Sequence, residues 1–251
     1  MITEVEYTSG RKGDFYLPDT SLPPGGYASV LLIHGGAWSS MDRSAMAGAA
    51  QMLCQAGFVV FNIDYRLAPE HPWPCGINDC RAALEYLTTR GRERFNLAPD
   101  RIFVAGASSG GHYALITGFS APKGSVAGII SLSGIDDVFP DFDLFPGRYR
   151  NLLGYTPAPE ELKKINPSEY FYEGAPPVLC THFLRDTVVP LESCQKFAET
   201  LRQNKGHITL YLYDFNRDNE GHALWIPGSS PRQLYSDLEQ TILSFCRNIL
   251  H

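Results

Sequence analysis

The sequence predicts a doubly wound α/β fold with a mostly parallel sheet. Three observations carry this: short runs that are apolar throughout, helix-length segments between them, and a first segment that alternates instead. The strand-like runs are "ASVLLIH" ending at His34, "FVVFNID" ending at Asp64, "RIFVAG" ending at Gly106, "VAGIISLSG" ending at Gly134, "PPVLCTHF" ending at Phe183 and "HITLYLYD" ending at Asp214. Nearly continuous apolar strands are those covered by helices on both faces, as in a parallel sheet. Helical spacing of apolar residues appears in Met41–Cys54, Ile77–Thr89, Ser109–Phe119, Leu191–Gln203 and Leu234–Leu250, and strands alternating with helices wind a sheet covered on two sides. "TEVEYT" and "GDFYLPD", around a glycine-containing turn, alternate and predict an antiparallel hairpin at the sheet edge.

The chain of 251 residues is long enough for one large domain, 1–251, with a substantial core. Within it, "IDDVFPDFDLFPGRYRNLLGYTPAPEELKKINPSEYFYE", residues 135–173, is rich in proline, aromatics and acids and carries no clear strand. A long excursion between two core strands predicts a cap or pocket wall. Its aromatics, Phe142, Phe145, Tyr149 and Tyr155, are expected to pack within it. Arg148 and Arg150 read as solvated surface charge, with attraction of a substrate carboxylate as the alternative.

A hydrophobic content of 44% with 19% charged residues excludes extended disorder. The net charge of -6, without a basic run, argues against nucleic acid and anionic membrane surfaces as partners. "MITEVEYTSGRKGDFYLPD" has no basic segment followed by an apolar core, so no signal peptide is visible, and no apolar stretch is long enough to span a bilayer. The six cysteines, scattered without a C-x-x-C pair, fit reduced thiols better than a disulfide framework or a zinc site. A cytoplasmic location is therefore expected.

"GASSGG" matches G-x-S-x-G with Gly106, Ser108 and Gly110. A serine on a tight strand-to-helix turn has a strained backbone, and side chains two residues either side would collide with strand and helix. A glycine-rich turn that merely starts a helix is the plain alternative. Ser109 offers a second frame, flanked by Ala107 and Gly111, but Ser108 has glycine on both sides and is the better candidate. Ser109 then contributes only its backbone N–H, at the start of a helix, where it can point at a developing oxyanion. "HGGAW", following a strand, supplies the other half of such a site, because adjacent glycines let N–H groups turn inward. Without the elbow, it would read as a simple Gly-Gly turn.

Serine needs a base, and the base needs an orienting group. Among seven histidines, His34 ends a strand, His71 lies in a proline-rich loop, His112 is within a helix, His182 is inside an apolar strand, His207 opens a strand and His251 is terminal. His222, in "NEGHALW", lies in a loop between the last strand and the last helix, beside a glycine. Taken alone it is a surface-loop histidine; the chain order serine, acid, histidine favours it as base. Asp186 in "THFLRDTVVP" sits just past a strand at the carboxyl edge, where such sheets assemble sites. Its plain alternative is a helix N-cap, and Asp214 and Asp218 compete for the acid role from the loop before His222.

"HGGAW", "DYRLAPEHPWP" and "GASSGG", in that order and leading to Asp186 and His222, resemble serine esterases of the α/β-hydrolase fold. The resemblance is to the hormone-sensitive-lipase-like group and the neighbouring small carboxylesterase and arylformamidase groups. It implies Ser108 as nucleophile, His222 as general base and acid, Asp186 as its partner, and the backbone N–H groups of Gly36, Ala37 and Ser109 as oxyanion donors. It also implies that Asp64–Pro74 braces the active-site loops without a catalytic atom. Ala37 replaces the usual third glycine, so its methyl narrows the acyl side of the pocket. The large N-terminal helical lid of many such relatives is missing, which leaves 135–173 to supply any cap and argues against long-chain lipids. The implied function is hydrolysis of short-chain carboxylic esters through an acyl-enzyme, with no metal or organic cofactor and a small-molecule ester as the partner. A formamide or an acetylated sugar is the alternative substrate, and a non-catalytic binding protein on the same scaffold is the alternative of another class.

Overall fold

The structure, a computed structural model, describes residues 1–214 and 221–251; Asp218, one of the competing acids, lies outside the described residues. The strands are β1 (Ile2–Thr8), β2 (Arg11–Tyr16), β3 (Tyr27–Ile33), β4 (Val59–Ile63), β5 (Leu97–Ala107), β6 (Gly128–Leu132), β7 (Val178–Phe183) and β8 (Ile208–Tyr213). They form one sheet in the order β1-β2-β4-β3-β5-β6-β7-β8. The β1–β2 hairpin is antiparallel and joins β4 antiparallel, and every later pairing is parallel. This difference in pairing follows the sequence pattern. Every residue of β4, β6 and β7 is buried, whereas β1 turns Val5 and Tyr7 inward and Glu4 and Glu6 outward.

The helices are α1 (Ala47–Gln55), α2 (Cys75–Tyr86), α3 (Arg92–Phe95), α4 (Ser109–Ser120), α5 (Val138–Leu144), α6 (Pro146–Leu153), α7 (Leu191–Gln203) and α8 (Ser236–Leu250). They cover the sheet on both faces. One core joins Phe15, Phe61, Leu31, Leu115 and Phe197; the other joins Phe103, Leu32, Leu53, Ile242 and Cys246. Phe15 and Phe61 stack across β2 and β4 with ring centroids 4.2 Å apart. Helix α4 is buried from Ser109 to Phe119, so the residues after the elbow are held by packing on all sides. No helix among the described residues is long and apolar enough to cross a membrane.

Two helices begin later than their apolar spacing predicts. The segment expected from Met41 starts instead with a 3-10 turn, Arg43–Met46, because the Asp42 side chain accepts from the Ser44 N–H and caps that turn. The last helix starts at Ser236, because Leu234 is used in an isolated antiparallel bridge with Trp225. The 135–173 segment holds α5, α6 and two 3-10 turns, Pro159–Ile165 and Pro167–Tyr170. Its prolines explain the broken rhythm: Pro146, Pro159 and Pro167 each open a helical turn, where the missing N–H costs nothing.

A single cation ties the edge hairpin to the rest. Arg43 contacts Glu4 of β1 at 2.6 Å, Asp14 of β2 at 2.8 Å and, at close range, Asp64 just beyond β4. At the carboxyl end of β5, on the same edge of the sheet, the close approach of α4 depends on glycine. A Cβ on Gly106 would meet the Gly110 carbonyl, and one on Gly110 would meet the carbonyl oxygens of Ile33 and His34. Those contacts are with backbone, which has nowhere to move. Gly110→Ala should therefore lose about 1–3 kcal/mol, seen as a thermal midpoint lower by roughly 2–12 °C; a midpoint unchanged in calorimetry would contradict this packing.

Candidate active site

Strand β5 ends at Ala107, and α4 begins at Ser109; Ser108 between them has φ 56° and ψ -126°. A positive φ on a residue with a Cβ is strained. It is held by the Ser108 N–H donating to the Leu132 carbonyl (2.9 Å) and by the Gly111 N–H donating to the Ser108 carbonyl (2.9 Å). The turn lifts the Ser108 side chain out of the sheet edge while α4 runs on behind it.

Facing the elbow is the loop after β3. Gly36, Ala37 and Trp38 have φ values of 115°, 49° and 62°, three consecutive left-handed residues. Ser39 and Ser40 both donate backbone N–H groups to the Gly36 carbonyl, at 3.0 and 3.1 Å, closing the turn. The Ala37 N–H is bonded to no acceptor among the described residues. The Ser109 N–H, at the first position of α4, lies outside the helical ladder. Ser109 is more than a backbone donor, however. Its buried hydroxyl accepts from the Trp38 N–H at 3.2 Å, so the expectation that only its backbone matters needs correcting. The short side chain is the one that reaches across to the facing loop.

Asp186 and His222 meet at the same edge. His222 Nδ1 donates to Asp186 Oδ2 at 2.7 Å, and the Asp186 side chain is fully buried. The other carboxylate oxygen accepts from the Val188 and Val189 N–H groups at 2.8 and 2.9 Å. Asp186 is therefore not the N-cap of α7, whose cap position is Pro190; its carboxylate is fixed by its own loop. A carboxylate bonded to Nδ1 leaves Nε2 of the ring as the acceptor, and His222 Nε2 is buried with no hydrogen-bond partner among the described residues. Asp214, the competing acid inside the described residues, instead pairs with Arg185 at 2.6 Å on the surface.

Each of the other histidines has another place. His34 is buried, stacked on Tyr65 with centroids 4.3 Å apart, and burial lowers its pKa. His182 bonds the Val189 carbonyl at 3.0 Å and lies 3.9 Å from Asp186, packed under the acid loop. His112 is buried behind the elbow and burial pushes it down to about 4. His71, His207 and His251 are exposed.

Ser108 and His222 line one cavity of about 260 Å³ together with Gly35, Gly36 and Ala37. Its remaining wall is mainly apolar, from Met41, Met46, Ile135, Val188, Leu224 and Trp225, with Arg148 and Arg232 adding charge. Leu224 and Trp225 lie two and three residues after His222 in "HALW", a signal that could have named this part of the wall in advance. Arg148 departs from the reading as solvated charge. It bonds buried Asp141 at 2.8 Å and the Val188 carbonyl at 2.9 Å, and stacks on Phe145 at 3.8 Å. Arg150 is exposed. Tyr149 is buried against Trp38 and Phe142, and Tyr155 bonds Glu161 at the surface; neither they nor Phe142 and Phe145 line the cavity.

The "DYRLAPEHPWP" segment carries braces. Asp64 holds Arg43, Arg66 holds Asp79 at 2.8 Å, and the Tyr65 hydroxyl donates to the His34 carbonyl at 3.0 Å. Among the described residues, no group of three His, Cys, Asp or Glu side chains is arranged to hold a metal.

The parallel sheet with its antiparallel edge, the elbow at the end of β5 and the acid and histidine on later loops define an α/β-hydrolase. Residues 14–201 match the BD-FAE family, and the chain belongs to it. It is 30% identical over 193 residues to Esterase LipC of Mycobacterium tuberculosis, covering 69% of this chain and 48% of that one. The chain thus spans about half the length of that curated relative. Among solved structures, the butyrate-bound thermophilic esterase Est2 of Thermogutta terrifontis superposes with a TM-score of 0.80 at 20% identity, over 99% of this chain and 94% of that one. The acetyl ester-xyloside bifunctional hydrolase of Caldicellulosiruptor lactoaceticus superposes with a TM-score of 0.78 at 20% identity, over 95% and 88%. At these identities the superpositions speak for the fold.

Burial raises the pKa of Asp141 to about 6, against the lowering effect of Arg148. A carboxyl whose folded pKa lies above its unfolded value contributes stability that is present at low pH and lost as pH rises through the folded value. Between pH 7 and pH 5 the wild type should therefore gain roughly 1–2 kcal/mol relative to Asp141→Asn, read from denaturant unfolding at both values. Parallel pH dependence in the two proteins would rule out the buried carboxyl.

Proposed function

We propose that the chain is a serine carboxylester hydrolase in which Ser108, His222 and Asp186 form the triad. The observation that carries this is the 2.7 Å bond from His222 Nδ1 to buried Asp186, which leaves Nε2 without a partner among the described residues, on a histidine that lines the same cavity as Ser108. Nε2 takes the Ser108 proton as Oγ attacks the acyl carbon, then delivers it to the leaving alcohol. Water, deprotonated by the same nitrogen, hydrolyses the acyl-enzyme. The N–H groups of Ala37, Ser109 and Gly36 hold the carbonyl oxygen as it gains charge. Residues 135–173 act as the cap of a single domain, contributing Arg148 and Ile135 to the pocket.

The small, largely apolar cavity supports a short acyl group, and the Ala37 methyl narrows it further. An acetylated sugar is the second reading, favoured by the likeness to the Caldicellulosiruptor lactoaceticus hydrolase. Six cysteines without a disulfide fit a reducing, cytoplasmic setting.

A fluorophosphonate probe should label wild type at Ser108 and fail to label Ser108→Ala. A folded wild type that resists the probe would leave only the binding-protein reading. Asp186→Asn keeps the shape but offers the ring a donor or an acceptor on either side, so kcat should fall on the order of 10⁴-fold with the fold intact. Across p-nitrophenyl esters, kcat/KM should peak at two to four carbons, about tenfold or more above the octanoate; acetylated xylose and N-formylkynurenine in the same panel separate sugar ester and formamide from simple ester.

A further inference from the structure

Nothing in the proposed chemistry uses His112, yet it is wholly buried directly behind the elbow, between the oxyanion loop and the 135–173 segment. The Trp38 indole N–H donates to its Nδ1 at 3.3 Å. Its Nε2 lies 2.6 Å from the Ile165 carbonyl, at the end of the Pro159–Ile165 turn. An indole N–H is only a donor and a carbonyl only an acceptor. The two neighbours therefore select one neutral tautomer, with the proton on Nε2 and the lone pair on Nδ1. Burial, which holds the ring at about 4, keeps it in that form.

Trp38 is the residue after Ala37, fully buried and itself at positive φ. Two bonds from the first turn of α4 fix it. The Ser109 hydroxyl takes its backbone N–H, and His112 takes its indole N–H. The rings of Trp38 and His112 also meet edge to face with centroids 5.2 Å apart. A tryptophan in the left-handed region has a low-energy alternative in the ordinary region, and moving there would rotate the peptide between Ala37 and Trp38. Both bonds oppose that rotation, and the helix that supplies them also sets the position of Ser108.

We propose that His112 is a positioning residue: bonded to Trp38 on one side and to Ile165 on the other, it holds the oxyanion loop in register with the nucleophile and couples that register to the 135–173 segment. The inference rests on the serine hydrolase reading above. It requires that losing the bridge weaken transition-state stabilisation rather than substrate binding, because in the proposed reaction the Ala37 N–H holds a charge that exists only in the transition state.

The test compares wild type, His112→Phe, His112→Asn, Trp38→Phe and the double variant Trp38→Phe/His112→Phe with p-nitrophenyl acetate. Thermal melts serve as the folding control and fluorophosphonate labelling of wild type as the control for the reading itself. His112→Phe should lower kcat about tenfold or more with KM within about twofold. His112→Asn, which keeps an acceptor near the Nδ1 position, should recover most of that loss. The double variant should be no worse than the poorer single variant, since both remove the same bond. Affinity for a trifluoromethyl ketone, which forms the tetrahedral adduct, should fall by the same factor as kcat/KM.

A His112→Phe enzyme within threefold of wild type overturns the proposal. So do losses that multiply in the double variant, or a His112→Asn enzyme no better than the phenylalanine. If His112→Phe does not fold, Trp38→Phe and His112→Asn decide by the same split between kcat and KM. A wild type that neither labels nor hydrolyses fails at the earlier reading, which that control alone reveals.

Discussion

The left-handed backbone at Ser108 is the constraint on which the rest of the site depends. It is strained, and it persists because Leu132, Gly111 and the buried helix α4 over-determine it. From it follow the two glycines that let α4 lie against β5 and the carbonyls of β3, and the direction in which the serine side chain leaves the sheet. It also follows that α4 begins at Ser109, whose N–H and hydroxyl face opposite tasks. The N–H is unspent at a helix start, and the hydroxyl reaches the neighbouring loop.

Around that turn the site is assembled from loops that share few local determinants. Asp186 is held by two N–H groups of its own loop and gives its remaining oxygen to His222. The loop after β3, proposed to hold the oxyanion, is closed by Ser39 and Ser40 on the Gly36 carbonyl, and anchored to α4 through Trp38. Each part is therefore held by hydrogen bonds of its own, and for the proposed reaction that is the arrangement in which dipoles stabilise a developing charge with little reorganisation.

Much of the architecture was legible because it depends on local pattern. Strands buried on both faces are apolar throughout, as "FVVFNI" is, and the elbow needs glycine at fixed offsets from its serine. The pairing of Asp186 with His222 could be anticipated from chain order along a known winding. What stayed hidden depends on residues far apart meeting. Asp42 shifted a helix start by capping a 3-10 turn, Arg148 exchanged solvent for Asp141, and Asp79 lies thirteen residues from the Arg66 it neutralises. The hydroxyl of Ser109 and the ring of His112 are polar groups in an apolar helix, and their partners, Trp38 and Ile165, are separated from them by 71 and 53 residues. No periodicity encodes such meetings.

The Arg43 cluster gives the sheet two ends of different character. The β7 and β8 end carries one exposed ion pair, Arg185 with Asp214, whereas the hairpin end is fastened partly by one guanidinium shared among three partly exposed carboxylates. Dissolved salt weakens the ion pairs at both ends and leaves the apolar contacts beneath them nearly untouched. Because Arg43 sits a few residues beyond Trp38 and grips Asp64, and Arg185 adjoins Asp186, ionic strength reaches this edge of the sheet from both sides.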